Sequence, residues 1–402
     1  MAKFLLMTTK EKGHLNPMVG IAKHLMRRDH EVGWCCLPYA PDYLAEMGIE
    51  DVPLELPETD GDDDEEDFIT EGAELAELVR DPERLYPWLR TLLVDNVGDL
   101  VEPTRGVLVD WNPDVLVVDP MLYGGIIAAE LEEVPYACVS TSLVMVAPND
   151  MDGIYQQHMR QLDPERHALF EDYGLSAEFK LVDCLSPHLN IVLIPAEYIG
   201  DDGDIPKNTY LVGPSFPPGE RGDEVDFPWD ILDERPTIYA SFGSQIYYQP
   251  EIFERISRAT AALDVQVIIS CGDLANSDWA ESLPDHVHTF SYTPQRELLE
   301  RVDLMVTHGG ANSVREALAA GVPLLISPVC NDQPIQAHFI RKRGVGTELD
   351  LFEASDDEAR EALEELLDDD APQRDAVDQV APSFSLLNGA RQTAKLVETL
   401  LS

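Results

Sequence analysis

An apolar run, Phe4-Leu5-Leu6-Met7, is followed by apolar residues at helical spacing from about Pro17 to Arg28 and then by a β-rich run, Glu31–Leu37. This is the strand–helix–strand rhythm of a parallel sheet covered by helices. It continues through a strand at Asp114–Asp119, a helix around Ile126–Glu132, and strands at Tyr136–Ser140, Leu189–Ile194 and Tyr210–Val212. The stretch Gly213-Pro214-Ser215-Phe216-Pro217-Pro218-Gly219-Glu220-Arg221-Gly222 cannot continue regular structure and reads as a linker. The rhythm restarts with strands at Thr237–Ser241, Val265–Ser270, Val287–Phe290, Leu304–Thr307 and Leu324–Ser327. Helices near Pro250–Leu263, Pro294–Arg301, Asn312–Ala320 and Asp332–Arg343 alternate with them, and an amphipathic helix is expected at about Leu386–Leu401. The prediction is two doubly wound α/β halves, as 402 residues exceed what one core usually fills.

Charge narrows the function. The chain carries 76 Asp+Glu against 28 Lys+Arg, for a formal net charge of -48. Nucleic acid is excluded as a partner on this balance, because polyanion affinity comes from clustered Lys and Arg releasing counterions. The acids are spread along the chain and Lys is scarce, a composition resembling proteins of salt-loving microbes, where counterions screen self-repulsion. With 44% hydrophobic residues in organised runs, disorder does not account for the charge. No run approaches the roughly 18 consecutive apolar residues of a membrane span, and the N-terminal apolar run reads as a strand instead of a signal peptide. The six cysteines form no Cys-x-x-Cys pair, as expected of buried thiols in a reducing cytoplasm. The acidic run Glu58–Asp67 lacks the ligand alternation of a calcium loop and reads as solvated.

Two constellations carry chemistry. Gly13-His14-Leu15-Asn16-Pro17 follows the first strand, placing His14 on a loop entering the first helix with Pro17 in its first turn. Asp119 ends a strand of the same sheet, so base and orienting carboxylate are expected at one sheet edge, where open α/β sheets bind ligands. The second is Tyr292-Thr293-Pro294-Gln295, then His308-Gly309-Gly310-Ala311-Asn312-Ser313-Val314-Arg315-Glu316, then Asp332-Gln333. Here a strand, a Gly-Gly turn and a helix start form an anion site needing neither Lys nor metal. Glu316, one turn in, suits ribose hydroxyls, and Tyr292 could stack on a base. His286 and His288 alternate on a strand without a third metal ligand. Ser241-Phe242-Gly243-Ser244 lacks the G-x-S-x-G elbow of a serine hydrolase.

The stretch Tyr292–Gln333 resembles the donor-binding signature of the nucleotide-sugar-dependent glycosyltransferases that include plant secondary-product, animal glucuronosyl and bacterial macrolide enzymes. The resemblance extends to Gly13–Pro17, Asp119, Val212-Gly213-Pro214, Ser241–Ser244 and Gly389-Ala390-Arg391. It departs in having Tyr292 where relatives commonly have Trp, and Ala311 where plant enzymes have Trp. It implies a GT-B fold, two Rossmann-like domains facing a central cleft. Residues 1–213 would bind acceptor, 214–235 link, 236–383 bind donor, and 384–402 form a helix returning to the first domain. It implies His14 as base with Asp119 as its partner. Ser244, His308, Asn312 and Ser313 would hold the diphosphate, Glu316 the ribose and Asp332 with Gln333 the sugar, while Tyr292, Gln295, Gly309 and Gly310 would complete the donor site. The reaction would be inverting, metal-independent transfer of a hexose from UDP-sugar, such as UDP-glucose, or dTDP-sugar to a hydroxyl of a small, largely apolar acceptor, without a cofactor. The remaining expectations are a cytoplasmic monomer or homodimer with no integral membrane segment, touching a membrane surface only if the acceptor is a lipid. A nucleotide-sugar epimerase and a non-catalytic sugar-nucleotide-binding protein are the alternatives.

Overall fold

A computed structural model describes residues 1–55, 72–217 and 225–401, so the acidic run Glu58–Asp67 and the end of the Pro/Gly stretch lie outside the described residues. Described residues 1–55, 82–217 and 387–401 form one compact unit, and 72–81 with 225–386 form a second.

The first unit is built on a seven-stranded sheet of order β3-β2-β1-β4-β5-β8-β9 in which every pairing is parallel. Its strands are β1 (Lys3–Thr9), β2 (Glu31–Leu37), β3 (Glu50–Asp51), β4 (Val115–Val118), β5 (Tyr136–Ser140), β8 (Leu189–Val192) and β9 (Thr209–Leu211). The intervening β6 (Glu178–Lys180) and β7 (Asp183–Leu185) form a separate antiparallel hairpin, which the apolar periodicity does not announce. β1, β4 and β5 are apolar nearly throughout because helices cover both sheet faces.

The second unit repeats the plan with six parallel strands in the order β12-β11-β10-β13-β14-β15. These are β10 (Thr237–Ser241), β11 (Gln266–Ser270), β12 (Val287–Phe290), β13 (Leu304–Thr307), β14 (Leu324–Ile326) and β15 (Gly346–Glu348). In each unit the strand order reverses direction once, between β1 and β4 and between β10 and β13. Crevices at such reversals, beyond the strands' carboxyl ends, are where open α/β sheets bind ligands.

The first helix differs from the sequence expectation. It spans Lys12–Met26, so His14 lies in its first turn and Pro17 inside it, instead of His14 on a loop and Pro17 at the start. The turn closes because the amides of His14 and Leu15 both donate to the Glu11 carbonyl at 2.9 Å. Pro17 then removes a single internal hydrogen bond, one turn in.

The C-terminal helix Gly389–Val397 packs on Lys12–Met26 within the first unit. Ala390, Ala394 and Val397 join the same core as Val19, Ala22 and Leu25. Its start approaches the 213–214 backbone so closely that a Cβ on Gly389 would stand 2.0 Å from the Gly213 carbonyl oxygen, and the Gly389 amide donates to the Pro214 carbonyl at 2.9 Å. Directly after this helix, Glu398 accepts from the Arg28 guanidinium at 2.5 Å and lies 2.8 Å from His30 Nε2. The motifs Val212-Gly213-Pro214 and Gly389-Ala390-Arg391 therefore meet in a structural clasp.

All six cysteines are buried free thiols. Burial pushes the Cys35, Cys36, Cys271 and Cys330 thiols up to about 12, so they stay protonated. No described helix is long and apolar enough to cross a membrane.

Candidate functional site

In the first unit the reversal between β1 and β4 brings His14 and Asp119 together. His14 Nδ1 lies 2.6 Å from Asp119 Oδ2, with the imidazole 29% exposed and the carboxylate 3% exposed. The Asp119 carboxylate is held by its own turn, since Oδ1 accepts from the Met121 amide at 3.0 Å and the Asp119 amide donates to Met7 O at 3.0 Å. An ionised carboxylate only accepts, so Nδ1 carries the proton and the imidazole lone pair rests on Nε2. On the neighbouring strand end, Ser140 Oγ donates to the buried Asp183 at 2.6 Å.

The second constellation assembles within the second unit. β13 ends at Thr307, and Gly309 makes the turn with φ +92°, where a Cβ would stand 2.4 Å from Ile326 Cδ1. No residue other than glycine fits both constraints. The helix Ala311–Ala320 starts on Gly310, whose lack of a side chain leaves the helix start without a side-chain cap. Amides at a half-buried helix start without a side-chain cap, with the dipole behind them, favour an anion.

His308 is 8% exposed, and burial lowers its pKa to about 4, so at neutral pH it offers one N–H and no charge. Glycines shape its pocket. A Cβ on Gly243, at the end of the Ser241–Ser244 motif, would stand 3.0 Å from the ring, and one on Gly310 would stand 2.5 Å from Nε2. Ser244 is exposed, Ser313 is buried, and Asn312 is half-buried.

Glu316 is 5% exposed and accepts from Gln295 Nε2 at 2.7 Å, while Gln295 Oε1 accepts from Tyr239 at 3.2 Å. The structure thus pairs two residues that the sequence left separate. Tyr292, three residues before Gln295, is half-buried. Gln333 is more committed than its sequence suggests, for its Oε1 accepts from the amides of Val329 and Cys330 at 2.7 and 3.0 Å. Its amide holds the turn that presents Asp332, which is half-buried. Arg315, unnoticed in the sequence, is 3% exposed and bonds back to Ala311 O at 2.8 Å, with burial lowering its pKa to about 10.

His286 Nε2 is engaged by Thr260 Oγ1 at 3.0 Å. Among the described residues no group of three or more His, Cys, Asp or Glu could hold a metal ion.

Residues 254–385 match the family model for the C-terminal domain of erythromycin biosynthesis protein CIII-like proteins. The oleandomycin glycosyltransferase of Streptomyces antibioticus is 26% identical over 401 residues, covering 97% of this chain and 88% of the relative. The solved glycosyltransferase of kitacinnamycin superposes with a TM-score of 0.78 at 23% identity, covering 100% of this chain and 99% of the other. The glycosyltransferase VinC, solved with dTDP, gives 0.70 at 18% identity, covering 99% of each.

Two Rossmann-like halves of this topology define the GT-B fold. The chain is similar over nearly its full length to glycosyltransferases, and its second unit carries the matched C-terminal domain.

Proposed function

We propose that the enzyme transfers a hexose from a UDP- or dTDP-sugar to a hydroxyl of a small, largely apolar acceptor, with inversion and without a metal. The observation that carries this reading is the 2.6 Å contact between His14 Nδ1 and Asp119 Oδ2 at the β1/β4 reversal. His14 Nε2 takes the acceptor's hydroxyl proton as its oxygen bonds to the anomeric carbon and the bond from that carbon to the diphosphate breaks. Asp119 keeps the imidazole in the reactive tautomer and stabilises the imidazolium. A binding protein has no use for such a pair.

The nucleoside diphosphate leaves into the second unit. The amides at the start of Ala311–Ala320, the Ser244 loop and the neutral His308 N–H stabilise its developing charge, as a preorganised donor array does. The Glu316–Gln295 pair takes the ribose hydroxyls, with Tyr292 against the base. Asp332 takes sugar hydroxyls from the turn that Gln333 braces. The solved VinC–dTDP complex supports a nucleoside diphosphate donor, and the oleandomycin glycosyltransferase relative supports a small-molecule acceptor.

The test is a panel of UDP- and dTDP-sugars against hydroxylated apolar acceptors, read by mass spectrometry, with anomeric configuration from NMR. The expected result is acceptor-dependent release of nucleoside diphosphate, product of inverted configuration, and full activity in EDTA. Nucleoside diphosphate released equally without acceptor, or a retained anomer, overturns the reading.

A further inference from the structure

Residues 72–81 precede most of the first unit in the chain, yet they belong to the second. Their two ends bond to one turn. The Gly72 amide donates to the Gln245 carbonyl at 2.9 Å, and the Arg80 guanidinium donates to Gln249 Oε1. Gln249 is fully buried, and its other amide atom, Nε2, donates to Ile246 O at 2.9 Å. The turn from Gln245 to Gln249 directly follows Ser244, so the Ser244 loop is stapled from outside its own sequence.

Arg80 also reaches the other side of the donor constellation. Its guanidinium lies over the Phe352 ring, 4.4 Å from the centroid, and its charge is felt at Cys330, in the turn that Gln333 braces ahead of Asp332. Burial lowers the pKa of Arg80, with the charges of Glu251 and Asp350 opposing, and the guanidinium bonds the neutral Gln249. A buried amide whose two ends are both engaged has little freedom to turn, and a charged donor makes that bond stronger than a neutral one.

We propose that Arg80 is a positioning residue of the donor site, acting through Gln249 to hold the Ser244 loop in the conformation that receives the diphosphate. This rests on the assignment of that loop to the diphosphate. The segment 72–81 is then a working part of nucleotide binding, contributed by chain that lies between acceptor-side elements. A loop already held in place gives up less entropy when the ligand arrives.

The experiment compares wild type, Arg80→Met, Arg80→Lys and Ser244→Ala in calorimetric titrations with UDP and dTDP, with uridine and thymidine as diphosphate-free probes in competition. Loss of one charge-assisted bond predicts about tenfold weaker diphosphate binding in Arg80→Met, with nucleoside affinity unchanged. Arg80→Lys, which keeps a charged donor and is the milder test of folding, should lose about threefold. The Arg80→Met, Ser244→Ala double variant should bind diphosphate little worse than the weaker single variant, as coupled groups do. Equal loss for nucleoside and diphosphate in Arg80→Met would make Arg80 merely structural and overturn the proposal. So would unchanged diphosphate affinity in both Arg80 variants while Ser244→Ala weakens it. If Ser244→Ala itself changes nothing, the diphosphate assignment of the loop falls, and the role of Arg80 falls with it.

Discussion

Gly310 and His308 are packed so closely that a single methyl group at position 310 would stand 2.5 Å from the imidazole Nε2. Gly310→Ala should therefore displace the ring, and with it the N–H assigned to the leaving diphosphate. Nucleoside diphosphate affinity should fall by about tenfold, the scale of one good hydrogen bond, while the melting temperature moves little. Calorimetry with UDP and dTDP checks this, and unchanged affinity would separate His308 from the phosphate site.

His14→Ala should leave donor binding near normal, because the residues assigned to the nucleotide lie in the second unit. Turnover should fall by about 10²-fold or more, the usual scale of a lost general base. Asp119→Asn should be slower as well, and the double variant little worse than His14→Ala, because the two act as one unit. Steady-state kinetics with a poorly acidic alcohol acceptor decides it. Retention of most turnover by His14→Ala would dismiss His14 as the base.

The Gln295–Glu316 bond of 2.7 Å couples two residues proposed to hold the nucleoside. Glu316→Ala should weaken donor binding by roughly 1.5 to 3 kcal/mol for each charge-assisted bond lost. In a double-mutant cycle, Gln295→Ala should cost clearly less in the Glu316→Ala background than alone. Strict additivity would argue that the two groups do not share a ligand.

The pKa of about 4 for His308 fixes a sign for acid stability. The unfolded chain takes up this proton near pH 6.5 and the folded chain only near pH 4, so between them the unfolded state binds more protons. Stability from this group is fully present above about pH 6.5 and is lost as pH falls towards 4, by about 3 kcal/mol at the limit. Protonating surface carboxylates relieves repulsion and acts in the opposite direction. The readout is therefore the difference in urea unfolding between wild type and His308→Gln from pH 7.5 to 4.5, which should narrow on acidification. A constant gap would mean that His308 titrates normally.

A formal charge of -48 predicts that thermal stability rises with salt, because counterions screen self-repulsion over a Debye length of about 3 Å at 1 M against about 10 Å at 0.1 M. Melting temperatures measured between 0.1 M and about 3 M KCl should climb throughout that range. A flat or falling curve would dissociate the acidic surface from salt adaptation.

The parallel βαβ architecture was legible because strands covered on both faces are continuous apolar runs, as in Val115–Val118 and Leu304–Thr307. The placement of His14, Asp119 and the His308–Glu316 stretch beyond the ends of strands was legible from the chain order alone. What stayed hidden was set by long-range contacts. Nothing local marks Gln249 as the acceptor for Arg80, or Gln295 as the donor to Glu316. The helix start at Lys12 was obscured by Pro17, whose preference for a first turn gave way to amides closing on Glu11. Gly389-Ala390-Arg391 matched a functional family, yet its glycine is required by the Gly213 backbone beside it.

That clasp bears on how the molecule comes into being. Residues 387–401 complete the core that begins with β1, so the first unit stays open until they have left the ribosome. Residues 225–386, with 72–81 already made, have their partners in hand sooner. The order of folding during synthesis is then reversed from the usual N-terminal-first sequence, with the second unit closing before the first. A nascent chain stopped before residue 387 would hold a finished second unit and an unsealed first core, the state in which chaperones would meet it.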